Sequence, residues 1–203
     1  MFKIAVLASG GGTDFQSIID AVESKYLNVK IEMLIASKDG IYALERAKKH
    51  GIKTYVVSRK EFGKQSSDKI LELVKGKVDL IVLAGFLSIL DGEILKEFEN
   101  RIINIHPSLI PSFCGKGYYG EKVHQGVIDY GAKVTGATVH FVDEGADTGP
   151  IIIQKTVEVK QDDDAKKLAE RVLEVEHEIL TKSISMFCEN KLTVNGRRVY
   201  IND

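Results

Sequence analysis

Residues 2–22 read FKIAVLASGGGTDFQSIIDAV and contain three patterns in succession. Ile4–Ala8 is a continuous apolar run, which is typical of a strand buried on both faces of a sheet. Three glycines follow, and apolar residues then recur with helical spacing from Phe15 to Val22. A buried strand, a glycine turn and a helix in this order predict the first unit of an α/β fold.

The same alternation of strand and helix continues along the chain. Further strands are predicted over Val29–Ala36, Ile52–Val57, Val78–Ala84, Arg101–Ile105, Lys133–Asp143 and Ile151–Lys160. A long helix is predicted over Ala165–Phe187, and Asn195-Gly196 predicts the turn of a short C-terminal hairpin. We therefore expect a single-domain α/β fold with a mostly parallel open sheet, helices on both faces and ligands at the carboxyl ends of the strands.

Charge and composition argue against several classes of protein. The 28 basic and 29 acidic residues give a formal net charge of -1, so we expect neither a nucleic acid nor a membrane as partner. The first apolar run is too short to cross a membrane and lacks the pattern of a signal peptide. Two cysteines without CxxC spacing and five histidines without ligand spacing predict a cytoplasmic protein with no metal site.

The glycine turn Ser9–Asp14 is the first candidate site. The start of a helix offers free N–H groups and a positive dipole to a phosphate, and glycines let the ligand approach the backbone closely. The alternative is an ordinary turn in which Thr13 or Asp14 caps the helix. Dinucleotide binding is less favoured, because Phe15 stands where the GxGxxG pattern needs its third glycine.

The second candidate site is Asn104–Phe113, NIHPSLIPSF, where a predicted buried strand ends. Asn104 and His106 point to the same face of a strand, and together an amide and an imidazole can hold a carbonyl oxygen. Pro107 and Pro111 restrict the backbone of the loop that follows. The alternative is a structural histidine with satisfied hydrogen bonds.

The third candidate is the acidic loop Asp143–Pro150, which follows a predicted strand. If Asp147 reaches His106, its negative charge favours the imidazolium and raises the pKa of His106, which makes His106 an acid suited to neutral pH. The alternative is a solvated turn, because Asp, Gly and Pro are common in turns.

Together these segments resemble the folate-dependent formyltransferases, essentially from end to end. The resemblance is carried by Ser9–Gln16, Leu83–Leu90, Asn104–Phe113, Val139–Val142 with Asp147–Pro150, and Glu176-His177. The run Asn-Ile-His-Pro-Ser-Leu is typical of formyl transfer in general, whereas the glycine turn and the short length are typical of the branch that serves purine synthesis. The resemblance implies one Rossmann-like domain over 1–203, with a nucleotide-binding half of about 1–100 and a catalytic and folate half of about 101–190.

The activity that the resemblance implies is transfer of a formyl group from 10-formyltetrahydrofolate, as co-substrate, to the primary amine of glycinamide ribonucleotide. Asn104 and His106 would polarise the formyl oxygen and stabilise the tetrahedral intermediate, and Asp147 would orient His106. No metal is expected to take part. The partners are these small molecules, and the protein is expected as a monomer or homodimer.

The resemblance also implies binding residues. Those expected at the phosphate, ribose and glycinamide of the acceptor are Gly11, Gly12, Thr13, Asp14 and Glu176. Those expected at the folate are Leu87, Ser88, Ile89, Leu90, Asn104 and Lys64, or Gln65 with a shift of one residue. Asp14 stands where many members have Asn, and Ser88 stands where Arg is frequent.

Four other functions are weighed against this one. A formyltetrahydrofolate hydrolase would use the same three residues, but such enzymes usually carry an extra N-terminal domain and a histidine in place of Pro107. A methionyl-transfer-RNA formyltransferase would need a basic C-terminal extension. A nucleotide-binding regulatory module would need only the glycine turn, and a cysteine hydrolase would depend on an activated Cys114.

Overall fold

The computed structural model describes residues 1–202, which form two compact units, one over Met1–Asn104 and one that begins at Ile105. The first unit alternates strands and helices: β1 Phe2–Ala8, α1 Thr13–Glu23, β2 Val29–Ala36, α2 Tyr42–Lys49, β3 Thr54–Val56, α3 Arg59–Phe62, a 3-10 helix Gly63–Gln65, α4 Ser66–Val74, β4 Leu80–Leu83 and α5 Glu93–Glu97. Strand β5, Ile102–His106, begins in this unit and ends in the second.

The strands of the first unit are parallel and follow the order β3-β2-β1-β4-β5. Strand β1 lies between β2 and β4, and none of its residues from Ile4 to Ala8 is exposed to solvent. This full burial explains why the run is continuously apolar rather than alternating. Because parallel strands end at the same edge, the turn after β1 and the loop after β4 share that edge.

The predicted strand Ile52–Val57 is too long and is not buried on both faces. Strand β3 contains only Thr54–Val56, and its two outer residues are exposed. The reason is its place in the sheet, where it stands at the end of the strand order and, among the strands of residues 1–202, pairs with β2 alone. The other strands of this unit lie within two residues of their predicted bounds.

The second unit contains α6 Glu121–Tyr130, β6 Val134–Phe141, β7 Ile151–Glu158, α7 Ala165–Cys188, β8 Leu192–Asn195 and β9 Arg198–Ile201. Strands β6 and β7 are antiparallel, and β9 joins β7 in parallel at Ile151 and Arg198. Strands β8 and β9 form the predicted hairpin, with Gly196 at a φ of 59° in its turn.

The fold class predicted from the sequence is confirmed. The chain is an α/β protein with a mostly parallel open sheet and a C-terminal antiparallel hairpin. The long helix α7 begins at the predicted residue, and its N-cap Asp164 accepts a hydrogen bond from the backbone N–H of Lys167 at 2.8 Å. Across residues 1–202, every helix is too short or too polar to span a bilayer.

Candidate active site

His106 ends strand β5, and only 5% of its surface is exposed. Its Nε2 lies 3.0 Å from the carbonyl oxygen of Phe113, so Nε2 carries a proton and donates it to that carbonyl. The other ring nitrogen, Nδ1, lies 3.6 Å from Oδ2 of Asp147. The predicted approach of His106 to Asp147 is therefore present, and Nδ1 is the nitrogen on the side of the carboxylate.

Asp147 lies in the loop between β6 and β7, in the left-handed region of backbone conformation with a φ of 57°. Its Oδ2 accepts a hydrogen bond from the backbone N–H of Gly115 at 2.8 Å. Its Oδ1 lies 3.6 Å from Nε2 of His140. The carboxylate thus stands between two imidazoles and is held by a main-chain donor.

His140 is the residue of this cluster that the sequence did not single out. It lies on β6, it is buried, and its Nδ1 is 2.8 Å from the carbonyl oxygen of Phe141, to which it donates. The Val139–Val142 run belongs to the family resemblance, but a histidine within a regular strand carries no separate signal in one sequence. Only the three-dimensional structure of β6 and the following loop shows that His140 lies close to Asp147.

The expected direction of the pKa of His106 was wrong. Burial lowers its pKa below the ordinary value, although the charge of Asp147 opposes this effect as predicted. For Asp147, burial raises the pKa, but the imidazoles of His140 and His106 and the N–H of Gly115 outweigh it and lower the pKa overall. At neutral pH the cluster therefore pairs an ionised Asp147 with a neutral His106 whose Nδ1 can accept a proton.

The loop after His106 is held by Thr138, which is fully buried on β6. The hydroxyl of Thr138 donates to the carbonyl of Ser108 at 2.6 Å and accepts from the N–H of Ile110 at 3.1 Å. The side chain of Gln154 donates both to Thr138 and to the carbonyl of Ile110. These bonds fix the loop whose Phe113 carbonyl meets His106.

Cys114 does not have the properties of a nucleophile. Burial raises the pKa of its thiol, and the negative charge of Asp147 adds to this effect. The Sγ atom donates to the carbonyl of Pro111 at 3.3 Å. A raised pKa keeps the thiol protonated at neutral pH, which argues against the cysteine hydrolase considered above.

The glycine turn belongs to the first unit, where Gly12 is the N-cap of α1 with a φ of 69°. The N-cap is Gly12 and no side chain of residues 1–202 caps this helix, so the alternative in which Thr13 or Asp14 is the cap is wrong. Thr13 is exposed, whereas Asp14 is buried. Burial raises the pKa of Asp14 to about 6, so its carboxyl group titrates closer to neutral pH than an ordinary aspartate does.

Ser9 connects three loops at the edge where the parallel strands end. Its hydroxyl accepts hydrogen bonds from the backbone N–H of Leu87 at 2.9 Å and from the hydroxyl of Ser37 at 2.7 Å. Its own N–H donates to the carbonyl of Gly85 at 3.0 Å. The loops after β1, β2 and β4 thus share one polar centre in the first unit.

The remaining predicted site residues lie on several elements. Leu87 and Ile89 are 60% and 54% exposed after β4, whereas Leu90 is buried and Ser88 half-buried. Lys64 and Gln65 are both exposed on the 3-10 helix. The other two are Asn104, half-buried on β5, and Glu176, buried on α7. Among residues 1–202, no group of three or more acidic, His or Cys side chains is arranged to hold a metal ion.

The chain is similar in sequence to a protein family and to several known proteins. Residues 2–184 match the formyl transferase family. Phosphoribosylglycinamide formyltransferase of Vigna unguiculata, a chloroplastic protein by its name, is 40% identical over 193 residues, which cover 94% of this chain. The chain spans 62% of the length of that relative.

Two solved structures are also similar. Glycinamide ribonucleotide transformylase 1 of Symbiobacterium toebii is 37% identical with a TM-score of 0.94, and the match covers 100% of this chain and 95% of the other. A formyltetrahydrofolate deformylase of Pseudomonas syringae is 26% identical with a TM-score of 0.89, and the match covers 100% and 66% of the two chains. The match over residues 2–184, supported by these whole-chain similarities, shows that the chain belongs to the formyl transferase family.

Proposed function

We propose that this protein transfers the formyl group of 10-formyltetrahydrofolate to the primary amine of glycinamide ribonucleotide, within purine biosynthesis. The observation that carries the proposal is the similarity over nearly the whole chain to proteins named phosphoribosylglycinamide formyltransferase or glycinamide ribonucleotide transformylase. The products are formylglycinamide ribonucleotide and tetrahydrofolate.

The reaction needs an oxygen stabiliser and a proton carrier. The amine nitrogen attacks the formyl carbon, and the electrons of the carbonyl double bond move to the oxygen. We assign the Asn104 side-chain N–H₂ to hydrogen-bond this oxygen, because a preset donor is worth most where charge develops. The oxygen's electrons then re-form the carbonyl double bond as the bond between the formyl carbon and the folate nitrogen breaks, with the electron pair of that bond going to the folate nitrogen.

His106 is assigned the proton. The attacking amine must lose one proton and the departing folate nitrogen must gain one, so a single carrier can serve both steps. The neutral His106 with its proton on Nε2 can accept the second proton on Nδ1. Asp147, ionised and 3.6 Å from that nitrogen, stabilises the imidazolium until the proton passes to the folate.

Binding is assigned residue by residue. The backbone N–H groups of Gly11, Gly12 and Thr13 are proposed for the phosphate. Asp14 and Glu176 are proposed for the ribose and glycinamide portion. The folate residues proposed are Lys64, Leu87, Ser88, Ile89, Leu90 and Asn104, with an apolar strip suited to the pterin ring.

Three further assignments accompany this function. We propose a nucleotide-binding half of about 1–100 and a catalytic and folate half of about 101–190. We also propose that the protein acts in the cytoplasm, as a monomer or homodimer. Neither substrate requires a metal or a macromolecular partner for the chemistry described above.

Hydrolysis of the formyl folate is the second candidate, and the similarity to a formyltetrahydrofolate deformylase favours it. In that reaction water replaces the amine, and the same imidazole and carboxylate would serve. Pro107 stands where hydrolases of this kind usually have a second histidine, which favours transfer to the amine.

A spectrophotometric assay with a 10-formyl folate decides between the two. We expect folate product to form rapidly with glycinamide ribonucleotide and only slowly with water alone. Equal rates with and without the amine would replace the transferase by a hydrolase. Mass spectrometry of the ribonucleotide product checks that the formyl group has reached the amine.

A further inference from the structure

The glycine turn of the first unit is attached to helix α2 by two consecutive carbonyl groups. The carbonyl of Gly10 accepts a hydrogen bond from the backbone N–H of Ala43 at 3.2 Å. The carbonyl of Gly11 accepts one from Nε of Arg46 at 2.8 Å. Both donors belong to α2, so both carbonyls point towards the same helix.

This attachment determines where the neighbouring N–H groups point. In a trans peptide the C=O and the following N–H point in opposite directions, and the only cis peptide in residues 1–202 is Ile110–Pro111. The N–H groups of Gly11 and Gly12 therefore point away from α2. Neither donates to an acceptor within the described part of the chain. Two adjacent N–H groups on one side of a turn form a concavity that suits an anion.

Arg46 is itself held in a fixed orientation. Its Nη1 donates to Oε1 of Gln16 at 2.9 Å, and its guanidinium lies 4.9 Å from the centre of the Tyr42 ring. The turn comes so close to α2 that a Cβ on Gly12 would stand 2.8 Å from the Cβ of Ala43. Arg46 thus bridges the turn and the first helix, with two donors of one planar group on two different acceptors.

We propose that Arg46 is a positioning residue for the phosphate of the acceptor substrate. By holding the Gly11 carbonyl against α2, it keeps the N–H groups of Gly11 and Gly12 directed at the phosphate. This inference rests on the proposed function, which places the phosphate at the turn. A lysine keeps the charge but not the planar fork, so it cannot hold Gly11 and Gln16 together.

The test compares the variants Arg46→Ala and Arg46→Lys with the wild-type chain at saturating 10-formyl folate. The acceptors are glycinamide ribonucleotide and glycinamide riboside, which lacks the phosphate. We expect both variants to raise the KM for the ribonucleotide about tenfold or more, as for the loss of a hydrogen bond from a charged donor. The kcat should stay within about threefold, and the KM for the riboside should not change.

Lys49→Ala is the matched control, because Lys49 also lies on α2 and beside the Tyr42 ring, but within residues 1–202 no hydrogen bond or ion pair joins it to the turn. Its KM for the ribonucleotide should stay within about twofold of the wild type. An Arg46→Lys variant that matches the wild type would show that charge alone matters and would overturn the inference. An equal loss with both acceptors would overturn it as well.

Two outcomes keep this test separate from the proposed function. A wild-type chain that transfers no formyl group to the ribonucleotide contradicts the proposed function rather than the role of Arg46. If thermal melting shows that the Arg46 variants do not fold, Gln16→Ala is tested instead, because it removes one of the two hydrogen-bond acceptors of Arg46. We then expect a rise of about threefold in the KM for the ribonucleotide alone. An unchanged KM would refute the inference.

Discussion

Asp147 has two imidazole neighbours, and its charge state follows from them. The carboxylate oxygens lie 3.6 Å from His106 and 3.6 Å from His140, and the N–H of Gly115 donates to one of them. Together these groups keep the pKa of Asp147 below its usual value although burial opposes them. An ionised carboxylate at this place stabilises a proton on His106 without taking it.

Asp147→Asn should lower kcat about a hundredfold or more while the fold persists, because the amide cannot stabilise the imidazolium. His106→Ala should lower kcat by a similar factor. Steady-state kinetics with circular dichroism as a folding check measure both effects. Near-normal turnover in both variants would show that the catalytic centre lies elsewhere.

Burial of Asp14 raises its pKa to about 6 and makes the stability of the protein depend on pH. Because its folded pKa exceeds its unfolded value of 3.8, its contribution to stability is complete below pH 3.8 and is lost as the pH rises through 6. Asp14→Asn should therefore stabilise the protein by up to about 3 kcal/mol at pH 7.5. The gain should be about 1–2 kcal/mol smaller at pH 5.

Urea denaturation at the two pH values measures this difference. Asp20→Asn, an exposed acid on the same helix, is the control and should change the free energy of unfolding by less than about 0.5 kcal/mol. A gain for Asp14→Asn that is equal at both pH values would argue that Asp14 is already ionised in the folded protein.

At the level of elements, the loop after β5 depends on strand β6. The hydroxyl of Thr138 satisfies the carbonyl of Ser108 and the N–H of Ile110, and Gln154 binds to the same hydroxyl. Nothing in the loop sequence itself indicates this partner. The prolines restrict the loop, and Thr138 determines where the restricted loop lies.

Two isosteric substitutions on β6, Thr138→Val and Thr135→Val, measure what the hydrogen bonds of Thr138 contribute. Thr138→Val should cost about 2–3 kcal/mol of unfolding free energy and lower kcat, because it leaves buried polar groups of the loop without their partner. Thr135→Val is the matched control, since Thr135 is buried on the same strand and its hydroxyl has no hydrogen-bond partner in residues 1–202. It should be neutral or stabilising by about 1 kcal/mol. Equal losses in chemical denaturation would show that the hydrogen bonds of Thr138 contribute nothing specific.

The elements that the sequence predicted best are those whose pattern comes from burial. Val29–Ala36 has its predicted bounds, because β2 has neighbours on both sides and its apolar run ends where the strand ends. Strand β3 was predicted too long, because the position of a strand at the end of a sheet is decided by the other strands. A local pattern shows that a segment is apolar, but not which neighbours it will have.

At the scale of the whole molecule, two buried groups give opposite dependences of stability on pH. Asp14 destabilises the folded state as the pH rises. His124, buried on α6, has its pKa lowered to about 4, mainly by burial and also by His106. Since its folded pKa lies below its unfolded value, its contribution to stability is present above pH 6.5 and is lost as the pH falls towards 4.

His124 should therefore contribute to unfolding in acid. His124→Leu should remove about 3 kcal/mol of the stability loss that the wild type shows between pH 6.5 and pH 4. The free energy of unfolding, measured by urea denaturation at several pH values, should then fall less steeply for the variant. Parallel curves for variant and wild type would mean that His124 protonates as easily in the folded protein as in the unfolded chain.

From the sequence, the residue types of the site were predicted more reliably than their pKa values. The predicted proximity of His106 and Asp147 is present, because a family motif reports which residues meet. The net direction of the pKa of His106 was missed, because the degree of burial depends on the packing of distant segments. His140 was missed for the same reason, since its role depends on a loop that follows it in the chain.

One hydroxyl group links the motions of the loops that leave the parallel strands. Ser9 accepts from Leu87 and from Ser37, so neither loop can be displaced without stretching a bond to the turn that precedes the glycines. We therefore expect a displacement of the tip after β4 to shift the start of the glycine turn. A molecule that immobilises Leu87 should, by the same bond, also restrict the backbone beside Gly10.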